Sequence, residues 1–180
     1  MIHLLILIAL GLATYLFHNY QTFDDRYMRP WVVENVNFNR EANPQALCDL
    51  LDPEATVIIN DRYTQYSYKF TGGKTQACEY FIESASHFQK PQREKNGYIP
   101  DRLTSFIVYH DDLFKDYADV SFETKLTGPL WGLATKKDGE QLIGNTSTKI
   151  TVKAPIFKDP KITRYEFTRK LEQPNIQKLL

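Results

Sequence analysis

The chain has 180 residues, 42% of them hydrophobic and 24% charged, which is room for about one domain with a proper core. Its 22 basic and 22 acidic side chains cancel, so no bulk charge draws it to nucleic acid or to an anionic membrane surface. Residues 145–180 hold eight Lys/Arg against three Asp/Glu, an excess that solvated strand faces explain more simply than an acidic partner does.

Residues 2–17 form one apolar run in which His3 is the sole side chain that titrates near neutral pH, and no Lys or Arg precedes Arg26. As a helix this run spans about 24 Å against a hydrocarbon core of about 30 Å. Tyr15, Tyr20 and Phe23 extend it into the interface as an aromatic belt. A cleaved signal peptide fits less well. It wants a basic leader and a small-x-small site beyond the apolar core, whereas Ala9, Gly11 and Ala13 lie inside the run. A buried soluble helix is disfavoured because the run has no polar face. Residues 1–23 are therefore expected to be an uncleaved transmembrane anchor, which makes the membrane the first partner. Asp24, Asp25, Arg26 and Arg29 leave the remainder free to lie outside the cytoplasm.

Residues 24–40 read as a connector with the apolar anchors Trp31, Val32, Val33, Val36 and Phe38. The folded domain is expected over 41–173, with a tail at 174–180. Asn43-Pro44 starts a short helix, with Asn as cap and Pro at the first helical position, and Asp52-Pro53 ends it. Residues 55–70 have the β-branched and aromatic character of strands, with Asn60-Asp61 as a point where a hairpin could turn. Gly72-Gly73 stops the strand. Ala77, Tyr80, Phe81, Ala85 and Phe88 then recur at helical spacing over 74–89. After a polar loop, four segments alternate apolar and polar residues. Ala118, Val120, Phe122, Thr124 and Leu126 share one phase of the second, and Thr148, Ile150 and Val152 share one phase of the third. This order is α+β, with helices packed on a curved antiparallel sheet.

Cys48 and Cys78 sit in the two helical segments. In an exported domain they could pair, closing a loop worth roughly 3–4 kcal/mol. Two small buried thiols are an equally good reading. No spacing suggests zinc, and no metal or cofactor is expected.

The stretch "TGGKT" at 71–75 suggests a phosphate loop, but the first glycine of that pattern would fall at Tyr68. The glycines read instead as a strand stop and helix start. His87 near the polar margin of that helix reads as structural or exposed. The run "YHDDLFKDYAD" gathers His110, Asp111, Asp112, Asp116 and Asp119, but it contains Lys115 and lacks a calcium-loop spacing, so it reads as a solvated turn. "NTS" at 145–147 matches a glycosylation sequon by short pattern alone.

The order of elements, with "ALCDLLDPEATVII" leading to "GGKTQACEYFIES", resembles the NTF2-like superfamily, which includes ketosteroid isomerases and SnoaL-like cyclases. The resemblance covers residues 46–84, and the strand-rich remainder fits the expected cone-shaped sheet. It implies a homodimer through the sheet, and it is shared by some secretion-system components with one N-terminal span and a periplasmic domain. In the isomerases the catalytic base is an aspartate two residues beyond the valine of the "ATV"-like stretch. Here that position is Ile59, which cannot take a proton. Asp61 lies two residues further on the same strand face.

The catalytic candidates are thus Asp61, Tyr66 and His110. Tyr63, Tyr66 and Tyr68 are candidates to line a pocket for a small apolar ligand, although cross-strand aromatic packing explains them at least as well. No complete catalytic constellation appears. The sequence therefore points to a membrane-anchored binding or assembly module in a bacterial inner membrane, facing the periplasm, with a protein partner or a second copy. An isomerase, dehydratase or cyclase, or a passive ligand carrier, are the alternatives.

Overall fold

A computed structural model describes residues 2–62, 67–88, 102–110, 112, 114–156 except 130–140, and 158–172. Helix α1 (Ile2–Thr22) carries the apolar run and is long and apolar enough to cross a membrane. Its residues 2–14 are exposed on every side. Asp24 then caps α2 (Asp25–Val32), its Oδ1 accepting from the Arg26 amide at 2.9 Å. Pro30 withdraws one amide from the α2 ladder, and a π-helical turn (Val33–Phe38) follows before α3 (Asn39–Ala42).

Residues 25–40, most of the segment read from the sequence as a connector, are helical and contribute to the core, with Met28, Val32 and Val36 buried. The apolar anchors read from the sequence are spaced along helix, not along a linker. They also supply the helical length that α4 (Pro44–Leu50) lacks by itself.

Asn43 caps α4 by accepting from the Ala46 amide, as its position before Pro44 requires. Strand β1 (Leu51–Arg62) follows without a break at Asn60-Asp61, so the hairpin turns beyond Arg62 instead, into β2 (Ser67–Gly72). Gly73 separates β2 from α5 (Lys74–Phe88) and its amide donates to Gln76 Oε1. Lys74 donates to the Leu51 carbonyl at 2.7 Å, which ties the helix start to the head of β1. Strands β3 (Arg102–Tyr109), β4 (Tyr117–Pro129), β5 (Gln141–Lys153) and β6 (Lys161–Glu172) complete the sheet.

The strand order is β2-β1-β6-β5-β4-β3. All neighbours are antiparallel except β1 and β6, which run parallel, so the sheet is mixed and not purely antiparallel. A pairing between the first and last strands is non-local, and alternation within one strand carries no trace of it. The inward face follows the alternation: Val57 and Ile59 on β1, Ala118, Val120 and Phe122 on β4, Ile150 and Val152 on β5, Tyr165 and Phe167 on β6, all buried. Each buried Val, Ile or Phe among them contributes about 1.5–3 kcal/mol by leaving water. Asp119, Glu123, Lys149 and Lys153 occupy the other phase.

Cys48 of α4 and Cys78 of α5 form a disulfide, with Cα atoms 5.4 Å apart and a sequence separation of 30. The link holds the two helices that flank the β1–β2 hairpin. Replacing both by Ser should lower unfolding stability by about 3–4 kcal/mol. Urea titrations of oxidised and reduced protein measure this, and coincident midpoints would show that the link does not stabilise the fold.

Candidate functional site

The register converts the concave face into rows that change character along the strands. At one end Ala118, Val152 and Ile162 lie side by side. The next row is Val120, Ile150, Tyr165 and Val57, and the next Phe122, Thr148, Phe167 and Ile59. The fourth row is Thr124, Thr146, Arg169 and Asp61, every one buried. The cone is thus apolar at one end and polar at the other.

Asp61 and Arg169 face each other across the parallel pair. Arg169 Nε donates to Asp61 Oδ1 at 2.8 Å and Nη2 to Oδ2 at 2.5 Å, a two-pronged ion pair with both side chains 1% exposed. From α5, Tyr80 donates its hydroxyl proton to Asp61 Oδ2, and Ser84 Oγ accepts from Arg169 Nη2 at 3.0 Å. Thr124 and Thr146 hydroxyls bond each other across β4 and β5. Arg40 of α3 reaches the same region. Its guanidinium lies 4.7 Å over the Phe167 ring and donates to Asn37 Oδ1, while Arg169 lies 5.4 Å over that ring.

Burial pushes the Tyr80 phenol well above its ordinary value. The Arg169 charge opposes this, and the Asp61 carboxylate that accepts its proton adds to it. The phenol is therefore a neutral donor throughout the physiological range. Both oxygens of Asp61 are engaged by Arg169 and Tyr80, and the negative charge is matched by the guanidinium.

The other sequence candidates scatter. Tyr68 sits beside Asp61 on β2, but its ring stacks on Tyr80 at 5.0 Å and meets Phe70 edge-on at 5.5 Å, so it is packing. Tyr63 and Tyr66 lie outside the described residues, as do Asp111 and the side chain of His87. His110 is at the apolar end of the sheet, remote from Asp61. Its Nε2 donates to the Lys115 carbonyl at 3.1 Å and its ring packs 4.7 Å from Phe23, which gives it a structural role in the turn. An open groove lined by Tyr20, Phe23, Asp24, Asp25, Phe106, Val108 and His110 runs past it. Among the described residues, no three His, Cys, Asp or Glu side chains converge on a point where a metal could sit.

Sequence reasoning missed Arg169, Ser84, Arg40 and the role of Tyr80. The signal was present for one of them: Arg169 is in phase with Tyr165 and Phe167 on β6, a charge at an inward position.

No protein-family model and no curated protein matches the sequence. Solved structures do match in fold. The hexachlorocyclohexane dehydrochlorinase LinA-type3 from Novosphingobium barchaimii superposes with a TM-score of 0.52 at 8% identity, over 84% of this chain and 94% of that one. The beta subunit of benzoate 1,2-dioxygenase from Burkholderia mallei gives 0.50 at 12% identity, over 82% and 91%. A chain of the yeast complex of the deubiquitinase Ubp3 with its cofactor Bre5 gives 0.53 at 10% identity, over 81% and 96%. The chain therefore has the NTF2-like cone fold, and identities this low carry nothing finer than the fold.

Two measurements probe the site. Asp61→Asn leaves a buried guanidinium without its counter-charge and should cost about 3–5 kcal/mol, whereas Asp61→Leu combined with Arg169→Met should recover most of that loss. Chemical denaturation of the three proteins decides; equal losses in the single and double variants would show that the pair is not coupled. The raised Tyr80 phenol also sets a pH window. Its contribution is fully present below the ordinary tyrosine value of about 10 and is lost as pH rises above it. Ultraviolet titration should show Tyr80 among the tyrosines that ionise only with alkaline unfolding, and Tyr80→Phe should reduce the amplitude of that late phase by one tyrosine.

Proposed function

We propose that this protein is a membrane-tethered binding or assembly module without catalysis, its cone domain lying outside the cytoplasm, in the periplasm of a bacterial inner membrane. The observation that carries the reading is the state of Asp61. A general base needs a lone pair aimed at substrate within about 2.6–3.2 Å. The carboxylate of Asp61 is instead closed in a buried ion pair, with a tyrosine donating to one oxygen and aromatic packing around it. The position two residues past Val57, where the isomerases keep their base, is the buried Ile59.

Two further observations support the tether and the compartment. Helix α1 leaves a surface exposed over residues 2–14 that is apolar except for His3 and Thr14, and this costs free energy in water that lipid would remove. The Cys48–Cys78 disulfide fits an oxidising compartment. A like fold in a complex of a yeast deubiquitinase with its cofactor shows that the plan also occurs in protein assemblies, a likeness of fold only.

Two tests address the proposal. The full chain should stay with membranes through alkaline carbonate extraction; a mature chain beginning near Thr14 would overturn the tether. Assayed against a panel of small cyclic ketones and chlorinated hydrocarbons, the wild type should give no turnover above Asp61→Asn. A reaction lost in that variant, with its fold intact by circular dichroism, would overturn the non-catalytic reading.

A further inference from the structure

Helix α1 does not lead into the domain through a free linker. Its last two turns are bonded to the apolar end of the sheet. Tyr15 donates its hydroxyl to the Phe114 carbonyl at 2.7 Å. Asn19, fully buried, donates to the Lys115 carbonyl at 3.0 Å. His18 Nε2 donates to the Ala154 carbonyl at 3.3 Å. Two loops, between β3 and β4 and between β5 and β6, are thus clamped to the side of the helix.

The level at which they are clamped matters. A helical side chain covers the turn N-terminal to its own Cα. The Tyr15 hydroxyl, and with it the Phe114 carbonyl, therefore lies beside the helix at the level of Tyr15 or just N-terminal to it, and Tyr15 belongs to the apolar run of residues 2–17. On the opposite side of the helix, two residues on from Tyr15, Phe17 is 61% exposed. Keeping Phe114 in water would hold Phe17 in water as well.

The loop tip is built for a dry setting. Phe114 is 64% exposed, an aromatic side chain projecting with no cover. Its backbone polar groups are nevertheless both satisfied inside the protein: the amide donates to Asp112 Oδ1 at 2.9 Å and the carbonyl accepts from Tyr15. That is the condition for non-helical backbone at membrane depth. Beside it Lys115 places its ammonium 5.6 Å over the Tyr117 ring, and its carbonyl accepts from both Asn19 and His110. Of the described acids in the turn, Asp112 accepts from the Phe114 amide and Asp116 pairs with Lys153.

From this geometry we infer that Phe114, at the tip of the β3–β4 turn, inserts into the lipid interface next to α1 and forms with it a two-point anchor that fixes the domain's orientation on the bilayer. This rests on the tether proposed above. The partner is the bilayer itself, and the contact is apolar, so it needs no anionic lipid. The apolar end of the cone then faces the membrane. Row by row along β4, the Asp61 end stands about seven residues beyond Tyr117, roughly 23 Å away from the lipid.

Depth-dependent quenching tests it. Full-length protein is reconstituted into phosphatidylcholine vesicles, with the native disulfide kept oxidised. A fluorophore is attached to Phe114→Cys, to Leu7→Cys within the apolar run, or to Lys170→Cys on the exposed face of β6 at the polar end. Lipids carrying a doxyl group near the headgroup end of the chain sample the depth of about 5–10 Å that interfacial side chains reach. They should quench the labels at 7 and 114 and leave the label at 170 bright, with aqueous iodide giving the reverse order. Quenching at 7 without quenching at 114 would overturn the two-point anchor and leave the tether standing. No quenching at either position would overturn both. Equal quenching at all three would show the domain lying on its side and would also overturn the inference.

Discussion

The pairing of β1 with β6 holds the architecture together, and the Asp61–Arg169 ion pair fixes where those strands meet. The two strands come from opposite ends of the domain and run parallel, so no short turn sets their register. The hydrophobic rows favour one alignment, because a slip of one residue would turn Val57 and Ile59 outward. The charge pair sharpens that preference. The same slip would expose Asp61 and leave Arg169 buried without its counter-charge, a loss of several kcal/mol. The helix α5 then reads the register from the other side, since Tyr80 and Ser84 bond the two members of the pair. The disulfide to α4 holds that helix in place.

A cone of this fold can be open and catalytic or filled and structural. Here the concave face is occupied by its own aromatic and β-branched side chains through three rows, and the fourth row is engaged internally. Among the described residues, Asp61, Arg169, Tyr80 and Ser84 are bonded to one another. The proposed function rests on that chemistry and not on topology, because the fold by itself is compatible with an enzyme subunit, a dehydrochlorinase or a cofactor complex.

The opposite end of the molecule has a different constraint. The helix α1 meets the domain through side-chain bonds at Tyr15, His18 and Asn19, so it is joined to the apolar end of the sheet at three points besides the chain itself. Those three polar side chains interrupt or end the apolar run, and each donates a hydrogen bond there to a carbonyl of a loop distant in the chain.

The sequence by itself determined the elements and their faces. Alternation in β4 and β5, the Asn43-Pro44 cap, the double glycine before α5 and the unbroken apolar run of α1 each act over a few residues, and short-range physics is written locally. It also placed Asp61 on the inward face. It missed the helices over 25–42, because Pro30 and a π-helical turn disturb the 3.6-residue period by which a helix is recognised. Tertiary structure alone decided that β1 lies parallel to β6, that Asp61 meets Arg169, that Tyr80 turns from core filler into a hydrogen-bond donor, and that Tyr15 holds Phe114 beside the apolar helix. Those pairs are separated by about 20 to 110 residues of chain, and a contact over that distance is chosen by the energy of the whole packed core, which no local pattern records.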